Sequence, residues 1–125
     1  MLSSEQLRRL NQSELIDIGA HTVNHPILAR LDDAAAEAEI RNSKAQLEQL
    51  LGESVELFAY PNGKPGNDYL PQHVLQVQRA GFRYALSTSE GVARNRSALF
   101  EVPRLGSWDR TPLRFLTRMC LMLAR

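Results

Sequence analysis

His21-Thr22-Val23-Asn24-His25-Pro26 sets two imidazoles four residues apart. Just past a strand, both rings can converge on one metal ion. A neutral imidazole offers a nitrogen lone pair and is the commonest protein metal ligand, with zinc–nitrogen distances of about 2.0–2.1 Å. The plainer alternative is one buried, hydrogen-bonded histidine and one in solvent. Leu57-Phe58-Ala59-Tyr60-Pro61-Asn62-Gly63 is the second feature, an apolar run entering a tight turn. Backbone N–H groups in such a turn can face a site and stabilise an oxyanion. Its alternative is an ordinary strand exit. The third histidine, His73, is expected on the surface of a helix.

Helix-like and strand-like segments alternate, which predicts α/β architecture with parallel strands. Ser3 or Ser4 can cap a first helix, with Gln6 completing a capping box from Ser3 and Leu7 and Leu10 forming its apolar stripe. Leu15 to Ala20 reads as a strand ending at His21, followed by a loop to Leu31 because Pro26 disfavours helix at His25. Asp32 or Asp33 starts the clearest helix, which runs to Leu51 with Ala36, Ile40, Ser43, Leu47 and Leu50 on one face and Gly52 at its end. Val55 to Tyr60 is a second strand, and the Pro61–Asp68 stretch is a loop. A helix over Pro71–Ala80, a strand over Phe82–Ser87 and a polar loop over Ser89–Ser97 follow. Leu99–Val102 reads as a weaker fourth strand, and Thr111-Pro112 opens a last helix to Leu123.

The chain has 125 residues, the size of one domain spanning residues 1–125. Fifteen Lys and Arg against fourteen Asp and Glu give +1, which offers no basic face for nucleic acid. A single cysteine, Cys120, excludes a disulfide framework or a cysteine-rich zinc module, and it is expected to be a buried thiol. No apolar run approaches the roughly 18 residues of a membrane span. No signal peptide is visible, so the chain as written reads as cytoplasmic. Met119 to Ala124 is apolar on every side of the last helix, which predicts packing against the body or, second, self-association.

Together the segments resemble the polysaccharide deacetylases, the family of the NodB-homology domain (carbohydrate esterase family 4). His-Thr-x-x-His-Pro, a long amphipathic helix and Phe-Ala-Tyr-Pro-x-Gly occur in that order. Ile18-Gly19-Ala20-His21-Thr22 is similar to the strand leading into the histidine motif, and Ala80-Gly81-Phe82-Arg83-Tyr84-Ala85 to a later strand. The resemblance covers about residues 1–105. It implies a distorted, incomplete (β/α) barrel. It also implies hydrolysis of N-acetyl or O-acetyl groups on a polysaccharide or oligosaccharide. His21 and His25 match the metal-binding histidines, the metal usually being zinc, with one aspartate as a further ligand and a second as general base. The matching turn implies the backbone N–H of Asn62 as oxyanion donor, with Tyr60 and Pro61 against the substrate.

The family's two aspartates sit in a Thr-Phe-Asp-Asp motif ahead of the histidines, and nothing before His21 matches it. Asp17 lies about 13 Å from His21 along a straight strand, too far to share an ion. Asp32, Asp33, Asp68 and Asp109 remain open as a third ligand. The family's Arg-Pro-Pro-Tyr motif reads Ala59-Tyr60-Pro61-Asn62 here, and its Leu-x-His motif is not found. Trp108-Asp109 reverses an Asp-Trp motif, and Trp108 is expected to pack. The expectation is therefore the C-terminal half to two-thirds of a deacetylase domain. Its full-length parent is expected at the cell envelope or secreted. The alternative is a degenerate, non-catalytic carbohydrate-binding or interaction module.

Overall fold

A computed structural model describes residues 2–13, 15–93, 99–104, 106 and 108–124. The elements are α1 (Ser4–Asn11), β1 (Gly19–Ala20), a 3-10 turn (Leu28–Arg30), α2 (Asp33–Leu51), β2 (Leu57–Ala59), α3 (Pro71–Arg79), β3 (Tyr84–Leu86) and α4 (Pro112–Leu123). The strands form a parallel sheet in the order β1-β2-β3, with Ala20 beside Phe58 and Phe58 beside Ala85. This is the expected α/β arrangement. The helix ends follow local chemistry. Ser3 and Gln6 form the capping box of α1, Asp32 accepts from the Ala35 N–H at 2.8 Å, and Gly52 ends α2 in a left-handed conformation.

The core lies where the helices cover the sheet. Ala20, Phe58 and Ala85 from the strands meet Ala36 and Ile40 of α2, Val77 of α3, and Leu28, Val55, Tyr60, Tyr69 and Phe82. Phe58 is enclosed by rings, with centroids 5.1 Å from Phe82 and 5.3 Å from Tyr60. Parallel strands buried this way must be apolar throughout, as Leu57-Phe58-Ala59 is.

Several expectations are corrected. β1 is two residues long rather than six. The Ser13 carbonyl accepts from both the Leu15 and Ile16 N–H groups, at 2.6 and 3.2 Å, which curls the chain before it can pair. Leu15 is left 94% exposed. Residues 99–102 make no fourth strand. Ala85 donates to the Leu99 carbonyl and accepts from the Val102 N–H, both at 2.8 Å. Three steps of chain thus oppose one residue, and only an isolated Leu86–Val102 bridge forms. His73 is buried rather than on the surface, because α3 turns His73, Gln76 and Val77 inward at positions i, i+3 and i+4. Cys120 is exposed, and Trp108 is 90% exposed rather than packed. No residue of α4 is fully buried, and Leu113 and Leu121 face solvent. From this helix Arg118 pairs with Asp109 and also donates to the Gly106 carbonyl. Among the described residues no helix is long and apolar enough to cross a membrane. Of the Ser89–Ser97 loop, residues 94–97 lie outside the described residues.

Candidate functional site

β1 delivers His21 to the C-terminal edge of the sheet, beside Ala59 at the end of β2. His21 Nδ1 lies 2.7 Å from the Ala59 carbonyl oxygen. That oxygen can only accept, so Nδ1 is the donor, and in the neutral ring the lone pair is left on Nε2. The His25 ring stands edge-to-face to it, with centroids 4.7 Å apart at 71°. Both histidines are exposed, so the alternative of one buried imidazole does not describe them.

Returning His25 to His21 within four residues takes an unusual loop. Thr22 and His25 have φ of 61° and 55°. That region disfavours a residue with a Cβ by on the order of 1–2 kcal/mol. Hydrogen bonds offset this. Thr22 Oγ1 accepts from the His25 N–H at 3.1 Å and donates to the His21 carbonyl at 2.6 Å. From α2, Glu39 Oε2 accepts from the Val23 and Asn24 N–H groups, both at 2.9 Å, and Oε1 accepts from Asn24 Nδ2 at 2.6 Å. Partial burial pushes the Glu39 carboxyl upward, but the bonds from Asn24 and Val23 outweigh it and hold the group below the usual carboxylate range. Sequence reasoning missed Glu39. Its only signal was a carboxylate one position before buried Ile40, and no periodicity links it to the loop.

Beyond β2 the Gly63 N–H donates to the Pro61 carbonyl at 2.6 Å, closing a three-residue turn around Asn62, whose φ is 56°. Gly63 itself has φ 77°, and a Cβ there would lie 3.0 Å from Thr88 Cγ2 and 3.1 Å from both Thr88 N and the Tyr60 carbonyl oxygen. The Gly63 carbonyl accepts from the Thr88 N–H at 2.8 Å. Asn62 is exposed, and its N–H has no acceptor among the described residues. Tyr60 and Pro61, expected against substrate, are instead buried. Tyr60 stacks on Tyr69 at 3.8 Å between centroids and donates its hydroxyl to the Phe100 carbonyl at 2.9 Å. Burial raises the Tyr60 phenol well above its usual range, so it stays protonated. These side chains hold the turn, and a ligand would meet the turn through its backbone.

Of the four carboxylates left open, Asp32, Asp68 and Asp109 are engaged elsewhere. Asp32 caps α2. Asp68 is buried and accepts from the Lys64 N–H at 2.9 Å and from Asn67 Nδ2 at 2.7 Å. Asp109 pairs with Arg118 at 2.5 Å. Asp33, in the first turn of α2, is exposed. Asp17 lines an open cleft of about 450 Å³ with Ile16, Ile18, Glu53 and Glu56, at the N-terminal end of the strands and away from the histidines. Among the described residues no group of three or more His, Cys, Asp or Glu is placed to hold a metal ion. The imidazole pair offers at most two nitrogen ligands, and the described residues supply no third protein ligand beside them.

Three parallel strands with covering helices, and polar groups gathered at the strands' C-terminal ends, make an α/β unit of the kind found in (β/α) barrels. Residues 3–85 match the polysaccharide deacetylase family, and the chain belongs to it. The fold is similar to the Streptococcus pyogenes deacetylase PplD, solved with acetate, at 24% identity and a TM-score of 0.82, covering 94% of this chain and 50% of that one. A polysaccharide deacetylase from Bacillus cereus is similar at 21% identity and a TM-score of 0.77, covering 94% of this chain and 36% of that one. IcaB from Ammonifex degensii is similar at 23% identity and a TM-score of 0.71, covering 96% of this chain and 52% of that one. The chain thus spans about half or less of the length of these structures. No curated protein matches it by sequence.

Proposed function

We propose that this chain is the histidine-bearing portion of a metal-dependent hydrolase that removes acetyl groups from an acetylated polysaccharide or oligosaccharide. The observation that carries the reading is the His21–His25 pair, with His21 anchored through Nδ1 to Ala59 and the rings 4.7 Å apart. His21 and His25 would hold a divalent ion, zinc by family resemblance, and a carboxylate from outside residues 1–125 would complete it. When bound, such an ion supplies a Lewis acid and an activated water. The chain's own residues position the ligands and the substrate carbonyl. The Ala59 carbonyl fixes the tautomer and orientation of His21. Glu39 and Thr22 hold the loop that returns His25. The Asn62 N–H, which has no acceptor among the described residues, donates to the substrate carbonyl oxygen as negative charge develops there. Glu39, the described carboxylate that reaches the histidine loop, is committed to three donors there, so the 125-residue chain alone should lack a general base and release no acetate.

The test is acetate release from N-acetylglucosamine oligomers by the protein purified from its own cells, with His21→Ala and His25→Ala placed in the same gene. Release that requires a divalent ion and both imidazoles is expected. No release by the unaltered protein would overturn the hydrolase reading. It would favour the second reading, a non-catalytic carbohydrate-binding module, which the lack of a third ligand among the described residues supports. Sugar binding that survives chelation would then be its signature.

A further inference from the structure

We infer that Glu39 is a positioning residue, which sets the two imidazoles face to edge before any ion arrives. The inference rests on the metal-site reading above and deepens it. His21 has its own anchor on Ala59, so its ring is placed by the sheet. Among the described residues, His25 has none on its side chain beyond the His21 ring. Its place is set by the backbone of residues 22–25, which turns through two left-handed residues, Thr22 and His25. The residues between them, Val23 and Asn24, point both N–H groups at one acceptor, Glu39 Oε2, at 2.9 Å each. Asn24 adds its own side chain to Oε1 at 2.6 Å. One carboxylate therefore satisfies three donors on an exposed loop of five residues. Because Glu39 sits within a helix of 19 residues, whose buried face is in the core, the loop inherits the rigidity of α2. The Thr22 hydroxyl closes the loop on itself, whereas Glu39 ties it to the body of the protein.

A ligand oriented by a hydrogen-bonded support typically loses about 10–100-fold in metal affinity when that support is removed. Glu39→Ala should therefore weaken zinc binding to the 125-residue chain by about that factor. Glu39→Gln keeps the size of the side chain but must turn its NH2 toward a donor, so it should fall between. In the zinc-free chain, the amides of Val23 and Asn24 should exchange with deuterium at least about tenfold faster in Glu39→Ala, and the close His21–His25 ring contact should vanish from nuclear Overhauser spectra. The Phe58 and Ala85 amides should keep their wild-type exchange. Wild-type loop exchange and an intact ring contact in Glu39→Ala would overturn the inference. So would equal acceleration of the Phe58 and Ala85 amides in both variants, which would make the effect global unfolding. If the unaltered chain bound no zinc, the metal reading would fail separately. Loss of the ring contact would still uphold the role of Glu39, and its retention would overturn it.

Discussion

Gly63→Ala should be far more damaging than Gly66→Ala, although the two glycines have nearly the same backbone conformation. Their φ values are 77° and 75°, and both lie in the loop after β2. A Cβ at Gly66 meets nothing within 4 Å, whereas at Gly63 it meets Thr88 Cγ2 at 3.0 Å and two backbone atoms at 3.1 Å. The left-handed conformation disfavours Ala by about 1–2 kcal/mol at either site. Reduced freedom of the unfolded chain returns about 0.4–1 kcal/mol. Gly66→Ala should therefore destabilise by about 1 kcal/mol. At Gly63 the crowding adds about 1–3 kcal/mol. The strained Thr88–Gly63 hydrogen bond adds about 1 kcal/mol more. The total for Gly63→Ala is about 3 kcal/mol or above. With a urea m-value of about 1.5 kcal/mol per molar, the midpoints of the two variants should differ by about 1.3 M. Equilibrium urea unfolding followed by far-ultraviolet circular dichroism measures this directly. Equal midpoints would refute the reasoning, because they would show that the approach of Thr88 and Tyr60 is not what requires glycine in the turn carrying Asn62.

His73 should make the fold acid-sensitive. Burial disfavours its imidazolium and Asp33 offsets only part of this, so the folded group titrates below its ordinary value of 6.5. As the pH falls, the unfolded chain therefore binds the proton first. The contribution is complete above about pH 6.5 and is lost below it. Urea midpoints should drop between pH 7 and 5, and less steeply in His73→Gln; parallel slopes would contradict the assignment. Tyr60→Phe keeps the stack on Tyr69 but leaves the Phe100 carbonyl without its donor. It should destabilise by about 1 kcal/mol, read by the same unfolding assay, and a neutral result would count against that bond.

Legibility followed the range of the interactions. α2 was readable at both ends because its signals are local: a carboxylate that bonds three residues ahead and a glycine that takes the left-handed end. The histidine spacing and the Pro-Asn-Gly turn were readable for the same reason. β1 was over-read because Leu15 and Ile16 look like strand residues, while the competing Ser13 carbonyl carries no side-chain signal. The burial of His73 carries no sequence signal, because its partner is the Leu70 N–H at 3.0 Å, a backbone group. Glu39 and the loop it holds are 15 and 16 positions apart in sequence. Only the packing of α2 beside β1 joins them. The resemblance sets Tyr60 and Pro61 against the substrate, but both are buried, and Tyr60 stacks on Tyr69.

The most direct measurement of the central claim is calorimetric titration of zinc into the 125-residue chain, beside His21→Ala, His25→Ala and His73→Gln. One ion per chain should bind the unaltered protein and His73→Gln, and neither His21→Ala nor His25→Ala should bind it. Zinc binding unchanged by the loss of either exposed imidazole would contradict the account.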